Sequence, residues 1–175
     1  MQFCRLEIPD VVLIKPTVFG DERGYFFEVF HDDKFGGNVI NTKFVQDNQA
    51  FSTKGVVRGL HFQKKYPQGK LVRCVKGSIL DVAVDIRPDS PTFGKHVSAL
   101  LTEDNNQQLW VPRGFAHGYA SLESENIVLY KCDDFYHPED EGGVKWDDPS
   151  LGIDWNVSSP IISDKDKLLP ALSEL

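Results

Sequence analysis

Alternation between Ser78 and Ile86 constrains the fold more than any other feature of the chain. Leu80, Val82, Val84 and Ile86 fall on one side of an extended segment, and Asp81 and Asp85 on the other, the period of a β-strand rather than a helix. Comparable short apolar runs recur at Gly24–Phe30, Lys43–Ala50, Leu71–Val75, His96–Leu101, Gln107–Val111, Gly118–Ser121 and Asn126–Cys132, with Gly, Pro, Asn and Asp between them. Many short strands of this kind predict an all-β jelly roll or barrel. After Tyr136 the pattern loosens through Gly142-Gly143 and Asp147-Asp148-Pro149. The tail, Ser163–Leu175, is expected to hold a short helix behind a Ser or Asp cap. No repeat or low-complexity stretch divides the chain, and 175 residues suit one domain spanning 1–175.

Composition narrows the partners. The net charge is −7, from 19 basic and 26 acidic residues, so no nucleic-acid partner is expected and an anionic substrate would have to be held by local cations. The three cysteines, Cys4, Cys74 and Cys132, include no CxxC pair, which suits a reducing cytoplasm. No window is long enough for a membrane span, and the N-terminus lacks the basic-then-apolar order of a signal peptide. A cytoplasmic protein with no membrane partner is the expectation.

Two patches carry the chemistry. Gly55, His61 and Gly77 stand at the spacing of the first metal-binding motif of a cupin, with Gln63 where a second histidine would be and Lys70 near the place of a glutamate. Pro112, Gly114 and His117, within Trp110-Val-Pro-Arg-Gly-Phe-Ala-His-Gly118, stand at the spacing of the second cupin motif. A divalent cation wants imidazoles and carboxylates, and an ammonium repels it. The pattern therefore reads as a cupin-type β jelly roll without a metal, with a fixed cation and a histidine base instead. Strand parity puts His61 and Gln63 on one face, and Asn126, Val128, Tyr130 and Cys132 together on another. Arg58 has the wrong parity to join His61 unless Gly59 permits a bulge.

Over most of its length the chain resembles the dTDP-4-dehydrorhamnose 3,5-epimerase family, metal-free cupins acting on nucleotide sugars. The resemblance rests on Phe19-Gly-Asp-Glu-Arg-Gly-Tyr-Phe-Phe-Glu28, Phe44-Val-Gln-Asp-Asn48, Val57-Arg-Gly-Leu-His61, Pro67-Gln-Gly-Lys70, Val111-Pro-Arg-Gly-Phe-Ala-His117, Tyr130-Lys131, Trp146-Asp-Asp-Pro149 and Ile162-Ser-Asp-Lys-Asp166. It implies a cofactor-independent epimerase that moves the protons on C3 and C5, both α to a C4 ketone. By resemblance His61 is the base, Asp166 its orienting carboxylate, Lys70 the cation beside the C4 oxygen and Tyr130 the proton donor on the opposite sugar face. The resemblance also implies substrate contacts from Arg23, Glu28, Gln46, Asp47, Asn48, Arg58, His117, Glu141 and Lys165, and a thymine stack on Tyr136. It implies a homodimer in which the N-terminal strand region, carrying Arg23 and Glu28, reaches the neighbouring barrel. Three alternatives stay open. The chain could epimerise one carbon only or use another sugar such as a GDP-linked one. It could be a metal-dependent cupin, against which Gln63 and Lys70 argue. It could also bind a sugar nucleotide without catalysis.

Overall fold

The computed structural model describes all 175 residues. Thirteen strands run in chain order: β1 (Gln2–Arg5), β2 (Val12–Lys15), β3 (Val18–Asp21), β4 (Gly24–Phe27), β5 (Gln46–Ser52), β6 (Val57–Gln63), β7 (Lys70–Lys76), β8 (Ser78–Asp85), β9 (His96–Thr102), β10 (Gln108–Val111), β11 (Phe115–Ser121), β12 (Asn126–Cys132) and β13 (Glu141–Gly143). Helix α1 (Asp32–Asn38) follows β4, and α2 (Asp164–Lys167) lies in the tail. A six-stranded antiparallel sheet in the order β1-β2-β10-β7-β12-β5 faces a five-stranded one in the order β13-β6-β11-β8-β9. This is an all-β jelly roll of cupin type.

Three apolar layers hold it together. The central layer, with Val72, Leu109 and Val128 from one sheet and Ile79, Leu101 and Phe115 from the other, is the interior of the sandwich. A second layer covers the outer face of the five-stranded sheet, where Leu80, Val82 and Val84 pack under Val144, Leu151 and Trp155 of the C-terminal segment. In the third, Phe35 of α1 packs with Trp110 and Leu71 on the outer face of the six-stranded sheet.

The alternation read in Ser78–Ile86 is present, but its apolar side faces the tail, and Asp81 and Asp85 point between the sheets. Both faces of β8 are buried because the C-terminal segment covers the outer one. The expected strand Gly24–Phe30 is instead the hairpin β3–β4, paired to nothing else, because Glu22-Arg23 turn the chain back on itself. The tail helix forms but is short: Ser163 Oγ accepts from Asp166 N at 3.1 Å to start α2.

Asp85 is fully buried and locks the end of β8. It accepts from Arg87 Nε at 2.8 Å and Nη2 at 2.6 Å, and from the hydroxyls of Ser90 and Thr92. Burial pushes the Asp85 carboxyl up, but the bonds from Arg87, Ser90 and Thr92 outweigh it and hold the carboxyl well below the usual carboxylate range. Breaking a fully buried pair costs about 3–5 kcal/mol, and the half-open Arg87 lowers this to about 2 kcal/mol. Asp85→Asn should therefore lower the melting temperature at pH 7 by about 4–8 °C. A folded-state pKa below the ordinary 3.8 stabilises above that pH and ceases to as the pH falls below it, so the gap between variant and wild type should narrow in acid. Calorimetry at pH 7 and pH 3 measures both effects, and an equal gap at the two pH values would contradict the assignment.

Candidate active site

A cleft opens between the sheets at one end of the sandwich, and both sheets supply its walls. His61, Lys70 and Tyr130 form its waist. On one side lies a cavity of about 340 Å³ reaching Gln46, Asn48, Tyr136 and Glu141. On the other lies one of about 530 Å³ reaching Arg58, His117, Lys165 and Asp166.

His61 and His117 are direct cross-strand neighbours on β6 and β11. The register slips between His117 and Tyr119, so Arg58 joins His61 in the same cleft against simple parity. Two glycines make the slip possible. Gly59 has φ +123°, and a Cβ on it would lie 2.6 Å from Gly118 Cα. The bulge that the sequence required of Gly59 is present. Arg58 is then held by Ser52 Oγ at 3.0 Å and Phe51 O at 3.1 Å.

His61 Nε2 lies 2.8 Å from Asp166 Oδ1, joining residues 105 apart in the chain. Asp166 Oδ2 also accepts from Gly59 N at 3.3 Å. Burial pushes the Asp166 carboxyl up, but the bond and charge of His61, with the Gly59 N–H, hold it below its ordinary range. An ionised Asp166 fixes the tautomer with a proton on Nε2 and leaves Nδ1 as the basic nitrogen. His117 makes a second such pair, Nε2 to Asp81 Oδ1 at 2.5 Å, deep in the wall. Asp81 is fully buried, and its Oδ2 has no hydrogen-bond partner.

Lys70 begins β7, opposite Cys132. Gly69 places it: the Gly69 N–H donates to Asp133 Oδ1 at 2.6 Å, and a Cβ there would collide with the Trp110 ring. The ammonium has no carboxylate in contact. Burial pushes the Lys70 pKa down, opposed by Cys132 and the negative charges of Asp81 and Glu141. Tyr130 is mostly buried, and burial, reinforced by Cys132, pushes its phenol up to about 12, so it keeps its proton at neutral pH. A base with an oriented tautomer, an unpaired cation and a protonated phenol thus meet at one waist. This set can remove a proton beside a carbonyl, steady the resulting enolate and return a proton.

The remaining expected positions divide. Gln46 and Asn48 face the cleft, and Gln46 Oε1 accepts from Tyr136 N at 3.0 Å. Glu141 joins the Tyr136 hydroxyl and Lys165 Nζ, each at 2.6 Å. Asp47 turns the other way: alternation along β5 puts its carboxylate on the outer face, 2.9 Å from Lys131 Nζ. Arg23 and Glu28 are outside the cleft of their own chain, Arg23 exposed at the hairpin and paired with Asp21, Glu28 paired with Lys34. Tyr119, Gln68 and Cys132, not singled out from sequence as site residues, also line the cleft. The parity of Tyr119 with His117, and of Cys132 with Tyr130, was the available signal.

The cupin metal positions do not suit a divalent cation here, since a lysine stands near the carboxylate position and the Gln63 amide is fully engaged elsewhere. Fold and cleft together define a cupin-type protein whose cleft is built for acid–base chemistry. Residues 5–174 match the family model described as dTDP-4-dehydrorhamnose 3,5-epimerase. The enzyme of that name from Shigella flexneri is 52% identical, over 95% of this chain and 93% of that one. The one from Methanothermobacter thermautotrophicus is 47% identical, over 99% and 95%. A crystal structure of the dTDP-6-deoxy-D-glucose-3,5-epimerase of Legionella pneumophila, in complex with dTDP-4-keto-L-rhamnose, superposes with a TM-score of 0.96 at 43% identity, over 98% and 93% of the two chains. The chain belongs to the dTDP-4-dehydrorhamnose 3,5-epimerase family, a family of isomerases.

Proposed function

We infer that this protein epimerises C3 and C5 of dTDP-4-dehydro-6-deoxy-D-glucose, giving dTDP-4-dehydro-L-rhamnose without a cofactor. The observation that carries this reading is the oriented His61–Asp166 pair, set in one cleft with Lys70 and a protonated Tyr130. His61 Nδ1 takes the proton α to the C4 ketone, and the electron pair moves onto the C4 oxygen. Lys70 stabilises that oxyanion. Tyr130 delivers a proton to the other face of the same carbon, inverting it, and proton exchange with solvent resets the two groups. The second carbon follows by the same steps, since both hydrogens flank one carbonyl.

Arg58, His117 and Lys165 suit the diphosphate and sugar on one side of the waist, and Tyr136, Gln46 and Asn48 suit the base on the other. The hairpin β3–β4 exposes Phe19, Tyr25 and Phe26, at 64%, 65% and 71%. Such a surface suits burial against a second copy, with Arg23 and Glu28 carried to the partner's cleft in a homodimer. One domain, in the cytoplasm, completes the reading, and no helix is long and apolar enough to cross a membrane.

Proton NMR of dTDP-4-dehydro-6-deoxy-D-glucose with the enzyme in D2O tests it. The H3 and H5 signals should both disappear as deuterium enters. Loss at one carbon alone would make the protein a mono-epimerase. No exchange would move the search to another nucleotide sugar, such as a GDP-linked one.

A further inference from the structure

Gln63 stands where a metal-binding cupin would carry its second histidine, yet its amide is spent on main chain. Its Oε1 accepts from His137 N at 2.7 Å, and its Nε2 donates to Tyr66 O at 2.6 Å and Phe135 O at 3.1 Å. Both amide hydrogens and the carbonyl are used, and the residue is 6% exposed. The three bonds join two loops that frame the mouth of the cleft, the one from Lys64 to Gly69 and the one from Asp133 to Asp140. The same loops are cross-linked by Asp140, whose carboxylate accepts from Lys65 N and Tyr66 N, and by the Tyr66–His137 ring stack at 4.3 Å. The second loop carries Tyr136 between two residues that Gln63 holds directly. The first loop ends at Gly69, next to Lys70.

We propose that Gln63 is a positioning residue for nucleotide recognition: it fixes the loop that presents Tyr136 and so sets affinity for the nucleoside diphosphate part of the substrate. This rests on the nucleotide-sugar reading above. At the position of a cupin metal ligand, Gln63 is instead a pin between the two loops. A strand residue whose neighbour at i−2 is the base, His61, thereby serves the base-binding end. Because Gln63 touches main chain and not Lys70 or Tyr130, its loss should fall on binding more than on the chemical step.

The test uses Gln63→Glu, which keeps the shape and the acceptor for His137 N–H but sets a carboxylate oxygen against the carbonyls of Tyr66 and Phe135. Calorimetric binding of dTDP, which lacks the reacting sugar, is measured with steady-state kinetics. Mispairing buried donors and acceptors should raise both the dTDP Kd and KM about tenfold, with kcat falling less than threefold on that same scale. In Tyr136→Ala/Gln63→Glu, dTDP should bind no more weakly than to Tyr136→Ala alone, because Gln63 acts through the ring. Gln63→Met, which keeps length but no hydrogen bond, should move the Kd in the same direction. An unchanged Kd in the folded variants, or losses that add fully to Tyr136→Ala, would overturn the proposal while leaving the functional reading intact. Failure of the wild type to bind dTDP would overturn both.

Discussion

His61→Ala is expected to lower kcat about 10²–10⁴-fold, the range that one positioned general base contributes. Deuterium incorporation at both C3 and C5 should fall together, because one nitrogen serves two carbons flanking the same ketone. Asp166→Asn should also lower kcat, since the imidazole remains but the carboxylate that fixes its tautomer and balances its charge is gone. A second consequence follows from the carboxylate. Asp166 is held below its ordinary range of 3.8 against its own burial, chiefly by His61. A group with a lowered folded pKa stabilises above its ordinary value and ceases to as the pH falls through the folded value. His61→Ala removes that partner. The variant should therefore melt below the wild type near neutral pH, and the difference should shrink below about pH 4. Single-turnover exchange in D2O and thermal melts across pH 3–7 read both effects. Retention of exchange at either carbon would mean that a second base works there, and His117, beside His61, would be the group to change next.

How much of this was legible in sequence depends on the range of the forces involved. Strand β12 runs over the predicted Asn126–Cys132, because an alternating segment with one face in a core declares itself locally. The pairing of Arg58 with His61 was legible as a condition on Gly59. Its partner condition, a glycine at 118 across the strand, is a contact between elements that no local pattern contains. The two faces of β8 were separated correctly but given no inside or outside, since the apolar cover of Leu80, Val82 and Val84 arrives from residues 144–172. Asp166 reaches His61 for the same reason: the C-terminal segment crosses the outer sheet and sets α2 over the cleft. Resemblance to a family supplied that pair, and chain spacing could not have. Asp47 is the opposite case, a side-chain direction that the local pattern did contain. A motif of three consecutive residues was taken together, although alternation sends the middle side chain to the other face.

Lys70→Met should separate stability from activity more sharply than any other single change. The ammonium is the one cation at the waist with no carboxylate in contact, and removing an oxyanion-stabilising group from a site of this type costs about 10²–10³ in kcat. The same charge is a burden on the fold. Burial lowers its pKa below the ordinary 10.5, with only partial compensation from Cys132, Asp81 and Glu141. The unfolded chain then binds more protons than the folded one between the lowered value and 10.5, so that wild-type stability rises with pH across that window. Methionine fills a similar volume without the charge. The variant should melt above the wild type at pH 7, and its advantage should shrink as the pH is raised toward 10.5. A variant that lost activity but melted lower would mean that Lys70 is held by contacts its surroundings favour. A variant that kept kcat within about tenfold of wild type would transfer the oxyanion role to another donor, with the Arg58 guanidinium, across the same cleft on the facing sheet, the next to test.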